Sequence, residues 1–121
     1  MRIESTMSDQ LVRYLDLVTG QAKLTAQNMA NVDTPGYHAL GIEFETEMQS
    51  ALHHAAAGQD AQPVHVRFED GLVARPDGNN VSMDRESLNL AEQQLKYRTG
   101  IALLKQQYQM TMDAIRADSG K

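Results

Sequence analysis

Residues 28–44 read NMANVDTPGYHALGIEF, and the fold turns on how this stretch is taken. Thr34 precedes a proline and is pushed towards extended geometry. Thr34-Pro35-Gly36-Tyr37 places proline second and glycine third, the signature of a type II turn, whose third residue needs positive φ. Asn31 tolerates the left-handed conformation common at helix ends. A helix is therefore predicted to stop between Asn31 and Asp33. Beyond the turn, Ile42 and Phe44 alternate with Gly41 and Glu43 and predict a short extended stretch. The stretch reads as a corner: helix, tight turn, extended exit.

Working back from the corner, residues 8–32 carry helical periodicity. Leu11, Leu15, Val18, Ala22, Thr25, Met29 and Val32 fall at alternating spacings of four and three, a heptad-type stripe. Gly20 interrupts the run and weakens that helix by about 1 kcal/mol relative to alanine.

Working forward, residues 45–57 predict two or three helical turns, and residues 58–63 a loop. Val64 to Phe68 alternates apolar and polar residues and predicts a strand. Leu72 to Ala74 is expected to pair back on it as a hairpin across Asp70-Gly71. Residues 75–80 form another loop. Ser82 is a candidate N-cap for a second long helix, with Asp84 and Glu86 in the first turn where the helix dipole favours acids.

From Met83 to about Ala117 there is no proline. A helix of that length measures about 50 Å, whereas a compact domain of this size is about 35 Å across. It must protrude or bundle. It also carries two apolar stripes. Leu88, Ala91, Leu95 and Ala102 make one; Leu90, Tyr97, Ile101, Leu104, Tyr108, Met112 and Ile115 make the other. The first helix can cover only one face, so an apolar surface is left for other chains to shelter. Gly100 permits a close neighbour or a slight bend.

The predicted fold is mainly α. Long N- and C-terminal helices pair as a coiled-coil-like bundle, and an irregular middle segment contains a short β-hairpin. The chain reads as one structural domain in three segments: 1–33, 34–80 and 81–121.

Composition narrows the function. The 121 residues include no cysteine and no tryptophan, and aromatic residues make up 5%. A core this thin is marginal without a partner. Disulfides, thiolate metal sites and cysteine nucleophiles are excluded. The net charge of −5 argues against nucleic acid and against an anionic membrane. Seven acidic and two basic residues lie in 41–80, whereas the two ends are near neutrality. No stretch approaches the roughly 20 apolar residues of a membrane helix, so no membrane insertion is expected. The first residues, MRIESTMSDQLVRYLDL, lack an uninterrupted apolar run and a small-residue cleavage site, so no cleaved secretory signal is expected.

Chemistry is sparse. His53 and His54 are adjacent and would project about 100° apart on a helix, which does not suit a shared metal. Glu43, Glu45 and Glu47 read as a solvated edge rather than an acid–base pair. No nucleophile elbow, metalloprotease, phosphate-loop or dinucleotide motif is present. Catalytic residues, cofactors and metal ligands are accordingly expected to be absent.

Two blocks carry a family likeness. Asn28-x-x-Asn31-x-Asp33-Thr34-Pro35-Gly36-Tyr37, followed by Ile42-Glu43-Phe44, resembles the N-terminal signature of bacterial flagellar rod proteins. Asp77-Gly78-Asn79-Asn80-Val81-Ser82-Met83-Asp84-Arg85-Glu86 resembles the second signature block of the FlgB family of proximal rod proteins, and Leu95-Lys96-Tyr97 sits where that family has a similar run. The first block also fits other rod and hook axial proteins; the second narrows the likeness.

The resemblance implies a structural subunit of the basal-body rod, exported by the flagellar type III apparatus without signal cleavage. Its partners would be other rod subunits and the rod–export-gate junction protein. Asn28, Asn31, Asp33, Thr34, Pro35, Gly36, Tyr37, Ile42 and Phe44 form the expected assembly motif. Leu11, Leu15, Val18, Met29, Leu88, Leu95, Tyr97, Ile101, Leu104, Tyr108, Met112 and Ile115 are the expected helix-packing positions. A rival reading keeps the exposed stripe but gives it one different client, making the chain a helical binding module or export adaptor. A third, a small hydrolase or metal-dependent enzyme built around the histidines, has only those residues in its favour.

Overall fold

The computed structural model describes the backbone of residues 2–119 and the side chains of residues 6–119. Two long helices dominate it: α1, Arg2–Ala30, and α3, Met83–Ser119. Between them lie β1 (Leu40–Gly41), α2 (Phe44–Ala56) and β2 (Arg67–Phe68). Helix α1 begins earlier than the stripe suggested, because no glycine or proline interrupts residues 2–7.

The long helices run antiparallel. Asn28 meets Glu86, Thr25 meets Gln93, and Leu15 meets Gly100, so the α1 number falls as the α3 number rises. All seven positions of the α1 stripe are buried or half-buried. The face of α3 that meets them is not apolar. Its buried residues are Glu86, Gln93, Gly100 and Gln107, repeating every seven positions.

This overturns the expectation that α1 would hide one of the apolar stripes of α3. Leu88 and Leu95 are 62% and 68% exposed. Each lies two residues from a seam residue and projects to nearly the opposite side of the helix. In the second stripe Leu90, Ile101 and Leu104 are half-buried, and Tyr97, Tyr108, Met112 and Ile115 are exposed. Gly100 resolves as a close-contact glycine. A Cβ there would lie 2.6 Å from Leu15 Cδ2 and 3.1 Å from the Tyr14 ring.

Two further expectations are corrected. Phe44 does not continue an extended stretch; it opens α2. Its ring packs edge-on against Tyr14 of α1, 6.0 Å between centroids, and Lys96 Nζ of α3 lies 3.9 Å above it. The pairing of β2 also differs. It joins β1 antiparallel, Leu40 opposite Phe68 and Gly41 opposite Arg67, instead of forming a hairpin with residues 72–74. The chain leaving the corner presents backbone groups that need partners, and β2 supplies them. Residues 72–74 stay outside, with Val73 almost fully exposed. Arg67 fastens the pairing through Glu43 and Asp70.

Candidate assembly corner

The end of α1 is built by short-range bonds. Asn31 N–H donates to Gln27 O and Asn28 O, and Thr34 N–H donates to Asn31 O at 3.0 Å. Tyr37 N–H closes the turn on Thr34 O at 3.2 Å, and Gly36 has φ +74°. These are the marks of the predicted type II turn. Asn31 does not enter the left-handed region; among the described residues only glycines have positive φ. Instead its side-chain amide donates to Gln27 O, and its Oδ1 accepts from the Thr34 hydroxyl.

The second sequence block closes on the first. Gly36 N–H donates to Asp77 O at 2.9 Å, and Asn80 N–H to Tyr37 O at 3.2 Å. Asn79, 0% exposed, donates its amide to both Asn31 O and Thr34 O. Its Oδ1 accepts from Val81 N–H. Asn80 Oδ1 accepts from Ala39 N–H at 2.7 Å. Arg75 reaches from the loop to Val81 O and Val32 O. Gly78, φ +86°, lies back to back with Gly36; a Cβ on it would stand 3.3 Å from Gly36 Cα. The two motif blocks are one joint, bonded largely through backbone groups.

Asn28 ties this joint to the helix pair. Its amide donates to Leu40 O at 2.8 Å and to Glu86 Oε1 at 3.1 Å. Its Oδ1 accepts from Leu40 N–H at 2.9 Å and from the Tyr37 hydroxyl at 3.2 Å. That uses the full capacity of an asparagine side chain. In effect Asn28 pairs with Leu40 as a neighbouring strand would.

Below Asn28 the seam is polar. Glu86 is 1% exposed. Burial pushes its carboxyl above its ordinary value, the nearby Glu69 charge adds to that, and the Asn28 amide and Arg85 oppose it. Burial, helped by the Glu86 charge, also raises the Tyr37 hydroxyl. Glu86 Oε2, Gln93 Oε1 and Gln21 Oε1 are buried without a protein partner, and all three residues line one polar cavity of about 70 Å³. Gln93 meanwhile donates to Thr25 Oγ1 at 2.9 Å.

Of the expected motif, the structure brings Asn28, Asn31, Thr34, Gly36 and Tyr37 into the joint. Asp33 and Pro35 lie exposed on its rim. Ile42 and Phe44 lie beyond it, towards α2. The partners Arg75, Asp77, Asn79 and Asn80 were missing from the motif, although a Gly-Asn-Asn run is turn chemistry. Glu86 and Gln93 were missed as well; their seven-residue spacing was the available signal. Among the described residues no three His, Cys, Asp or Glu side chains gather as a metal site, and no helix is long and apolar enough to cross a membrane. His54 Nδ1 bonds to Ser50 O, and His65 Nδ1 to Glu47.

No family profile matches the chain. Individual relatives do. The flagellar basal body rod protein FlgB of Salmonella typhimurium is 30% identical over 84% of this chain and 87% of its own length. That of Cereibacter sphaeroides is 33% identical over 78% and 82%. That of Borrelia hermsii is 30% identical over 80% and 86%. With a corner made of both motif blocks and likeness at this level along most of its length, the chain belongs to the FlgB family of flagellar basal body rod proteins.

Proposed function

We propose that the chain is a structural subunit of the proximal rod, and not an enzyme. Its terminal segments, 1–33 and 81–121, pack with those of sister subunits into a helical tube that transmits torque. Segment 34–80 leaves that tube at the corner. The subunit passes through the flagellar type III export apparatus without signal cleavage and sits in the periplasm-spanning rod. Its neighbours there are other rod subunits and the junction protein at the export gate. Neither nucleic acid nor membrane insertion enters this role.

The observation that carries the reading is the inverted character of α3. Polar residues make up its buried seam against α1, and many of its large apolar residues stay exposed, among them Leu88 and Leu95 on the far side and Tyr108 and Ile115 towards its C-terminal end. A helix with apolar faces uncovered and a polar seam covered is arranged for burial by other chains.

Deletion of the gene is expected to leave cells without rods and without filaments, and the intact gene to restore both. Rods that form normally in the deletion strain would refute the proposal. The exposed apolar residues of α3 also suit a second reading, an export adaptor holding one client. A soluble one-to-one complex, with no polymer under any condition, would be its sign.

A further inference from the structure

A groove of about 620 Å³ runs among the three helices, lined by Met7 and Leu11 of α1, Met48 and Leu52 of α2, and Leu103 and Met110 of α3. No charged side chain lines it. Across α3 from Leu103 and Met110, about 170° around a 3.6-residue helix, stand Ile101, Tyr108 and Met112. Tyr108 and Met112 are exposed. These three recur at i, i+7 and i+11, the spacing by which an amphipathic helix anchors itself in an apolar groove.

The geometry points to a contact between copies: the Ile101–Tyr108–Met112 ridge of one chain seats in the α1–α2–α3 groove of the next. Charge favours a second copy as the occupant. Arg98, Lys105 and Arg116 flank the ridge, and none is in an ion pair among the described residues. The groove wall formed by α2 begins with acidic residues, of which Glu45 is exposed. Opposite charges across a contact steer and orient it.

Ridge and groove lie on opposite sides of one helix, so a chain cannot join its own. Each copy gives its ridge to one neighbour and its groove to another. Such a contact is heterologous and propagates unless its rotation closes a ring. It also gives α2, in the otherwise unassigned middle segment, a task as one wall of the receptor. The contact presupposes the rod-subunit reading and adds which faces meet and with what polarity.

The chain has no cysteine, which makes the test clean. Two tagged copies, one Leu52→Cys and one Tyr108→Cys, are expressed together, and basal bodies are treated with a short bis-maleimide. The expected product is a crosslink between the unlike copies, with none between like copies. Like-with-like crosslinks would overturn the contact. So would a crosslink from Leu52→Cys to a different rod protein, or the absence of the unlike product while both copies are present in basal bodies. Absence of the wild-type chain from basal bodies would instead refute the rod-subunit reading, and the contact with it. An independent pair uses exposed positions that cannot unfold the core. Lys105→Glu should lower incorporation several-fold, and Glu45→Lys in the same chain should restore it; a double variant no better than the single counts against the contact.

Discussion

The side-chain amide of Asn28 donates to Glu86 at 3.1 Å, and this bond joins the end of α1 to the start of α3 fifty-eight positions away. It is the point where the corner and the helix pair become one structure. Asn28→Asp would keep the acceptor for Leu40 N–H and the Tyr37 hydroxyl but lose both donors and set a second carboxylate against Glu86. Leaving buried groups unpaired and adding a buried charge should cost about 3 kcal/mol, read by urea unfolding. Adding Glu86→Gln should return part of the loss, because its amide can donate to the new carboxylate. A strictly additive double variant would show that the two side chains do not communicate.

Glu86 also sets a pH dependence. Its carboxyl is raised above the ordinary value of 4.5 by burial first, with the Glu69 charge adding to the shift. The folded chain therefore holds this proton more tightly than the unfolded one. The contribution is fully present below about pH 4.5 and is lost as pH rises through the raised folded value. Glu86→Gln, of the same shape and uncharged, should remove this slope and leave the protein more stable than wild type at neutral pH. Unfolding of the two proteins across that range gives the test as a difference, in which the other carboxylates cancel. Parallel curves would contradict it.

Two glycines inside the long helices should respond to alanine with opposite sign. Gly20 is exposed, and a Cβ on it would have nothing within 4 Å. Gly20→Ala should therefore stabilise by about 1 kcal/mol. Gly100→Ala would press on Leu15 and Tyr14 and should destabilise by about 1–3 kcal/mol. Thermal melts of the pair decide the matter; a stabilising Gly100→Ala would mean that the helices can part without cost.

The corner turn makes a related distinction. Gly36 and Gly78 both have positive φ, but only Gly78 has a neighbour near its missing Cβ, Gly36 itself at 3.3 Å. Gly36→Ala should cost about 1 kcal/mol through backbone strain alone. Gly78→Ala should cost more, since it also pushes the two motif blocks apart. Motility should fall with both, and further with the second; normal swimming by Gly78→Ala cells would remove the geometric role of the joint.

Much of this was legible in the sequence because it is local. Pro35 and Gly36 dictate a turn from their own backbone preferences. The α1 stripe reads correctly because its apolar residues face the helix that covers them. Ser82 caps α3 as its residue type suggests, its Oγ accepting from Arg85 N–H. The seam of α3 was not legible, because periodicity assigns apolar residues to the inside and here they lie outside. Glu86 and Gln93 are buried only because Asn28 and Thr25 stand opposite with matching hydrogen bonds, a relation that no single stretch contains. The pairing of β2 with β1 failed for the same reason: its partner lies across α2, not across the nearest turn.

The far end of α3 should be the first part to open. After Gln107 no described residue of the helix is buried, and only Thr111 is half-buried. Little of the helix there is sheltered by packing, and a thinly supported end of that length is marginal in water. In dilute protein, amides of residues 108–119 should exchange with solvent fast, and those between Glu86 and Gln107 slowly. On assembly the same end should become protected, since Tyr108, Met112 and Ile115 then lose their contact with water. Hydrogen exchange followed by mass spectrometry measures both states. Slow exchange at 108–119 in the dilute chain would mean that this end needs no partner, and the case for neighbours covering α3 would go with it.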